Sequence, residues 1–169
     1  GKLMLDQGKA VEAEEFFQSA SKLDKKNPDI FAKIGEAYLS NKKPNGNKAV
    51  EYLSIARDMN PSVAKYWALL GDAYELTGEH GEAMTCYETA IKKDPTISSA
   101  YISMARIWTK AKQDSLAIPL LEKAIELSPN DAQPYKYLIE LYIKNGKYAK
   151  VTPLLDKYVS LSGDDVDAK

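Results

Sequence analysis

The chain has 169 residues, of which 44% are hydrophobic, 9% aromatic and 28% charged, with 23 Lys and Arg against 24 Asp and Glu. That is the make-up of one ordinary folded domain, and it excludes a disordered tail, a collagen-like chain and the strongly basic surface that holds nucleic acid or an anionic membrane. A lone cysteine, Cys86, and a lone histidine, His80, exclude an internal disulfide and a histidine-rich metal site.

From the N-terminus, Gly1-Lys2-Leu3-Met4-Leu5 is too short and too soon charged for a signal peptide, and no later run approaches the roughly 18 apolar residues that span a bilayer. The first residue is not methionine, so the chain reads as processed or as a piece of a longer protein, its compartment open between cytoplasm and cell envelope. The first apolar set, Ala13, Phe17 and Ala20, has the i, i+4, i+7 spacing of one helical face. Phe31, Ile34, Gly35 and Tyr38 follow at i, i+3, i+4, i+7, the stripe of a second kind of helix. Ala49, Leu53 and Ala56 then repeat the first set 36 residues on, and the two extra residues place a lengthened turn in the Asn41–Asn47 run.

From there the period is 34 residues. The four-residue stripe recurs as Trp67, Leu70, Gly71, Tyr74, as Tyr101, Met104, Ala105, Trp108, and as Tyr135, Leu138, Ile139, Tyr142. The three-residue face recurs as Ala83, Tyr87, Ala90, as Ala117, Leu121, Ala124, and as Val151, Leu155, Tyr158. Alanine at two of its three places lets a neighbouring helix come close, so Val151 and Tyr158 predict looser packing or a different neighbour at the C-terminal end. Pro61, Pro95 and Pro129 stop the second helix of each pair, and Gly163 takes that place in the last. Gly8, Gly78 and Gly146 mark the turns within pairs. Pro119 and Pro153 fall near the start of a predicted second helix, where each is expected to remove a backbone hydrogen bond and bend it.

Little here points to chemistry. His80 is expected in a solvated turn and Cys86 as a small hydrophobe in helix packing, and no phosphate-binding glycine loop, paired-cysteine motif or serine elbow occurs. The Asp164, Asp165, Asp167 run lacks the spacing and glycine of a calcium loop and reads as a flexible tail. No catalytic residue, metal or cofactor is expected.

The stretch Trp67-Ala68-Leu69-Leu70-Gly71-Asp72-Ala73-Tyr74, followed by Ala83, Tyr87, Ala90 and Pro95, resembles a tetratricopeptide repeat. The resemblance implies an all-α, right-handed solenoid of antiparallel helix pairs: a partial repeat at 1–27, repeats at 28–63, 64–97, 98–131 and 132–165, and a tail at 166–169. It implies a non-enzymatic module that binds a protein or peptide, and not nucleic acid, in a groove lined by the first, or A, helix of each pair. Carried over by column, that groove holds Asp29, Glu36, Lys65, Asp72 and Glu75 in one half, and Ile102, Arg106, Lys110, Lys136, Glu140 and Lys144 in the other. Four carboxylates against Lys65 leave the first half at −3, and four cations against Glu140 leave the second at +3. Such a gradient would orient a charged peptide. The clamp with which co-chaperones of this family hold a C-terminal carboxylate is missing, because its columns carry Ala32 with Glu36, Ala68 with Asp72, and Ile102 with Arg106. A structural scaffold that self-associates through ends without a polar cap, near Leu155, Tyr158 and Val159, is the competing expectation.

Overall fold

In the computed structural model, residues 1–163 are described, so the acidic run from Asp164 and the 166–169 tail lie outside the described residues. Two compact units form, Gly1–Pro95 and Thr96–Lys169. The described residues are helical and contain no strand.

The first unit holds α1 (Lys2–Asp6), α2 (Ala10–Leu23), α3 (Pro28–Leu39), α4 (Gly46–Met59), α5 (Ala64–Thr77) and α6 (His80–Lys93). Successive helices pack as antiparallel pairs around the stripes read from the sequence: Ala13, Ala49, Leu53, Ala56, Leu70, Ala83, Tyr87 and Ala90 are all fully buried. Glycine in the A-helix stripe answers a large side chain on the second helix. A Cβ on Gly35 would stand 2.4 Å from Leu53 Cγ, and one on Gly71 would stand 2.5 Å from Tyr87 Cε1. Those distances are sub-van der Waals, so with Leu53 and Tyr87 placed as they are neither position has room for a side chain.

Caps and turns follow from local chemistry. Asn27 and Asn45 accept from the backbone N–H of Asp29 and Lys48 at 3.1 Å, each closing the first turn of a helix, and Pro28 takes the first helical position. Between α5 and α6, Gly78 is left-handed at φ 87°, and Glu79 N–H donates to the Tyr74 carbonyl at 2.9 Å. This is the six-to-one bond of a glycine-terminated helix. The α3–α4 turn, two residues longer, is closed instead by Asn41, which is 7% exposed and donates its amide to the Ala37 and Tyr38 carbonyls at 3.2 and 2.9 Å.

The second unit holds α7 (Ser98–Lys110), α8 (Asp114–Leu127), α9 (Ala132–Lys144), a 3-10 turn (Tyr148–Lys150) and α10 (Val151–Ser162). Its core gathers Ala105, Ala117, Leu121, Leu138, Leu141 and Tyr142. The α7–α8 turn repeats the α5–α6 geometry with Lys112 in the left-handed conformation at φ 59°, and the turn after α9 uses Gly146 at φ 68°. The same donor and acceptor columns serve both turns: Gln113 N–H to the Trp108 carbonyl and Lys147 N–H to the Tyr142 carbonyl, each at 2.8 Å.

The two prolines part company. Pro119 lies inside α8, leaving the Ser115 carbonyl without its helical donor. Pro153, expected to remove a hydrogen bond and bend its helix, is the third residue of α10, where no N–H is needed, and the preceding turn is wound as 3-10. The looser last pair is visible directly. Ala117, Leu121 and Ala124 of α8 are fully buried, whereas α10 has no buried residue and Leu155, in the Leu121 column, is 44% exposed.

Candidate functional site

The groove columns ride on α3, α5, α7 and α9, and each unit uses them differently. In the first unit, Ala32 and Ala68 are buried beneath the surface. The acidic side chains above them are tied into the fold. Asp29 accepts from the Tyr66 hydroxyl, Asp72 from the Tyr87 hydroxyl at 2.7 Å, and Glu75 lies 3.5 Å from that hydroxyl. Glu36 pairs with Lys65 at 3.5 Å, with both side chains well exposed, so that pair adds little stability. Burial first, and then the bond to Asp29, push the Tyr66 phenol up to about 12, so it remains a proton donor throughout the neutral range.

In the second unit, four of the groove-column side chains meet. Arg106, Lys110, Glu140 and Lys144, with Thr109 beside them, surround a cavity of about 230 Å³ floored by Ala105, Leu121, Tyr137 and Leu141. Lys144 also reaches Asp114 at 2.8 Å, and Asn145 donates to the same carboxylate at 3.0 Å. Those two hydrogen bonds hold the Asp114 carboxyl below the usual carboxylate range. Arg106 and Lys110 are likewise engaged by other groups. Lys136 is exposed on α9 but does not line the cavity. Ile102 departs from its expected place in the groove: at 5% exposure it is core, because its position on α7 turns inward beside Ser103 and Met104.

His80 is not in the turn. It is the first residue of α6 and exposed. Cys86 packs in the core, and burial pushes its thiol up to about 11, which keeps it neutral and poorly nucleophilic. Among the described residues no three His, Cys, Asp or Glu side chains come together as a metal site, and no helix is long and apolar enough to cross a membrane.

One polar centre escaped the sequence reading. Glu14 of α2 accepts from the hydroxyls of Tyr38 and Tyr52, the latter at 2.8 Å, and from Lys48 at 3.3 Å, joining α2, α3 and α4. Burial pushes its carboxyl up, but the three hydrogen bonds outweigh that and hold it below the ordinary range. The only sequence signal was the choice of tyrosine over phenylalanine at two core positions, since a buried phenol needs a partner.

Residues 64–97 match the family model of the tetratricopeptide repeat. That stretch, α5 and α6, is a tetratricopeptide repeat. Anaphase-promoting complex subunit 3 of Schizosaccharomyces pombe is 27% identical over 133 residues, covering 60% of this chain and 20% of that relative, so the chain spans about one fifth of its length. Among solved structures, MamA superposes with a TM-score of 0.76 at 20% identity, covering 97% of this chain and 95% of MamA. YrrB, a tetratricopeptide-repeat protein with an unusual peptide-binding site, superposes with a TM-score of 0.67 at 18% identity over 90% of this chain and 77% of its own. At these identities the likeness is one of fold: successive helix pairs of the tetratricopeptide kind.

Proposed function

We propose that this chain is a non-enzymatic adaptor that takes a peptide segment of a partner protein along its A helices, with the cavity between Thr109 and Tyr137 as an anchoring pocket. One observation carries the reading: side chains assigned to the groove by column converge on an apolar-floored cavity of about 230 Å³ in the second unit. Pockets of that make-up anchor one side chain while a few polar groups fix its orientation. That YrrB has a peptide-binding site on the same fold supports it. In the first unit, Asp29, Glu36, Lys65, Asp72 and Glu75 contribute chiefly through their bonds with one another and with tyrosines, so peptide contacts there compete with internal ones.

The test fills the pocket. Peptides selected from a displayed library against the wild-type chain are re-measured against Thr109→Trp and against the Arg106→Glu/Lys110→Glu pair, with circular dichroism to verify folding. Loss of affinity by about tenfold or more in Thr109→Trp is expected, roughly 1.4 kcal/mol of binding free energy. Unchanged affinity in both variants would overturn the groove assignment.

A scaffold role has one observation in its favour. Leu155 and Val159 of α10 are 44% and 58% exposed on a helix with no buried residue, an apolar face suited to assembly with another protein surface.

A further inference from the structure

A second cavity of the Thr96–Lys169 unit, about 420 Å³ and open to solvent, lies between α8, α9 and α10. Its apolar wall is Ile125, Leu138, Pro153 and Leu154, with Tyr142 and Lys150 at its mouth. The cavity exists because the last pair departs from the repeat. Val151 and Tyr158 stand where Ala117 and Ala124 let α8 close down fully, and Pro153 forces the chain to enter α10 through a 3-10 turn.

The mouth carries positive charge beside the Tyr142 ring. Lys150 Nζ lies 5.2 Å and Lys147 Nζ 6.0 Å from the centre of the Tyr142 ring, both side chains are exposed, and neither has an ion-pair partner among the described residues. The one carboxylate in the lining, Glu122, accepts the Tyr142 hydroxyl at 3.0 Å and so fixes the ring beneath them. Contact with the ring restrains two long side chains that would otherwise lose more rotamer freedom on binding.

This is not the groove. On α9 the cavity uses Leu138 and Tyr142, about a third of a turn from the Tyr137, Leu141 and Lys144 face that borders the other cavity. On α10 it uses Pro153 and Leu154, about half a turn from Leu155 and Val159, so it does not depend on what packs against that exposed face.

We propose that this cavity docks an acidic partner segment, with one aliphatic side chain entering between Ile125 and Leu154 and flanking carboxylates pairing with Lys147 and Lys150. Charge complementarity selects this occupant: an apolar hole with Lys150 in its rim and Lys147 beside the Tyr142 ring fits Leu next to Asp or Glu, and repels the same segment carrying Lys or Arg.

The experiment is fluorescence anisotropy on the whole chain. The probes are a labelled peptide with Asp-Asp-Leu-Asp-Glu at its centre, flanked by Gly and Ser, a second with Leu replaced by Ser, and a third with the acids replaced by their amides. The first is expected to bind saturably and both controls to bind at least about tenfold more weakly. Lys147→Glu/Lys150→Glu and Ala149→Trp, which reverses the rim and fills the exposed mouth respectively, should each abolish most of that binding while Thr109→Trp leaves it intact. No saturable binding, equal binding of the serine peptide, or affinity within about twofold of wild type in both variants would overturn the proposal. Binding lost only in Thr109→Trp would also overturn it and would place the peptide in the groove instead.

Discussion

Glu14 sets the chemistry of the first unit at the level of single atoms, because two phenols and an ammonium converge on one carboxylate. The anion is what they bond, and its folded value lies below the ordinary carboxylate range near about 4.3. Stability from this centre is therefore fully present above the unfolded value and fades as pH falls through the folded one. Glu14→Gln keeps the shape but offers a weaker, neutral acceptor. Its urea midpoint should lie below wild type at about pH 7 by the equivalent of about 1–2 kcal/mol, and the gap should close towards about pH 3. A gap that is the same at both ends of that range would rule the linkage out. The tyrosine positions were legible as core from their spacing, but their partners were not. Tyr38, Tyr52 and Glu14 stand 14 to 38 residues apart and meet only once three helices have packed.

At the scale of elements, the periodic spacing sufficed to place the helices, since each stripe needs a partner stripe one helix away and the 34-residue period supplies it. Turn chemistry was half legible. Gly78 and Gly146 announce left-handed turns, but Lys112 occupies the same column with a side chain that disfavours that conformation. The turn is imposed there by its six-to-one bond, which Gln113 donates to Trp108 whatever residue precedes it. Lys112→Gly should therefore stabilise the chain by roughly 1 kcal/mol, read as a higher urea midpoint with unchanged slope. A decrease would mean that the lysine side chain contributes more than its backbone costs. The hydrogen bond expected to be lost at Pro153 was misjudged for a related reason: a sequence shows where a proline is, not at which residue the helix around it begins. Here the helix start moved to accommodate it.

For the whole molecule, the period carries the columns of the A helices, whereas the surroundings of each residue in them were not legible. Ile102 reads as surface by column and is core by packing, and the first unit's acids read as a binding charge and are spent largely on tyrosines. The exposed apolar face of α10 bears on assembly. If Leu155 and Val159 join copies of the chain, the mass measured by light scattering should rise with concentration, and Leu155→Lys/Val159→Lys should return it to the monomer value. A mass independent of concentration in the wild type would remove self-association through this face.

The distribution of indoles gives the two units separate voices. Trp67 sits in the first, its Nε1 donating to the Pro61 carbonyl at 2.9 Å with Arg57 and Lys93 over its ring, and Trp108 sits half-buried against the core of the second. With only two tryptophans in the chain, Trp67→Phe leaves an emission spectrum that reports the second unit alone, and Trp108→Phe one that reports the first. A ligand of the second unit, whether in the groove pocket or in the lysine-rimmed cavity, should then shift the light emitted by Trp108 and leave that of Trp67 unchanged, without labelling either partner.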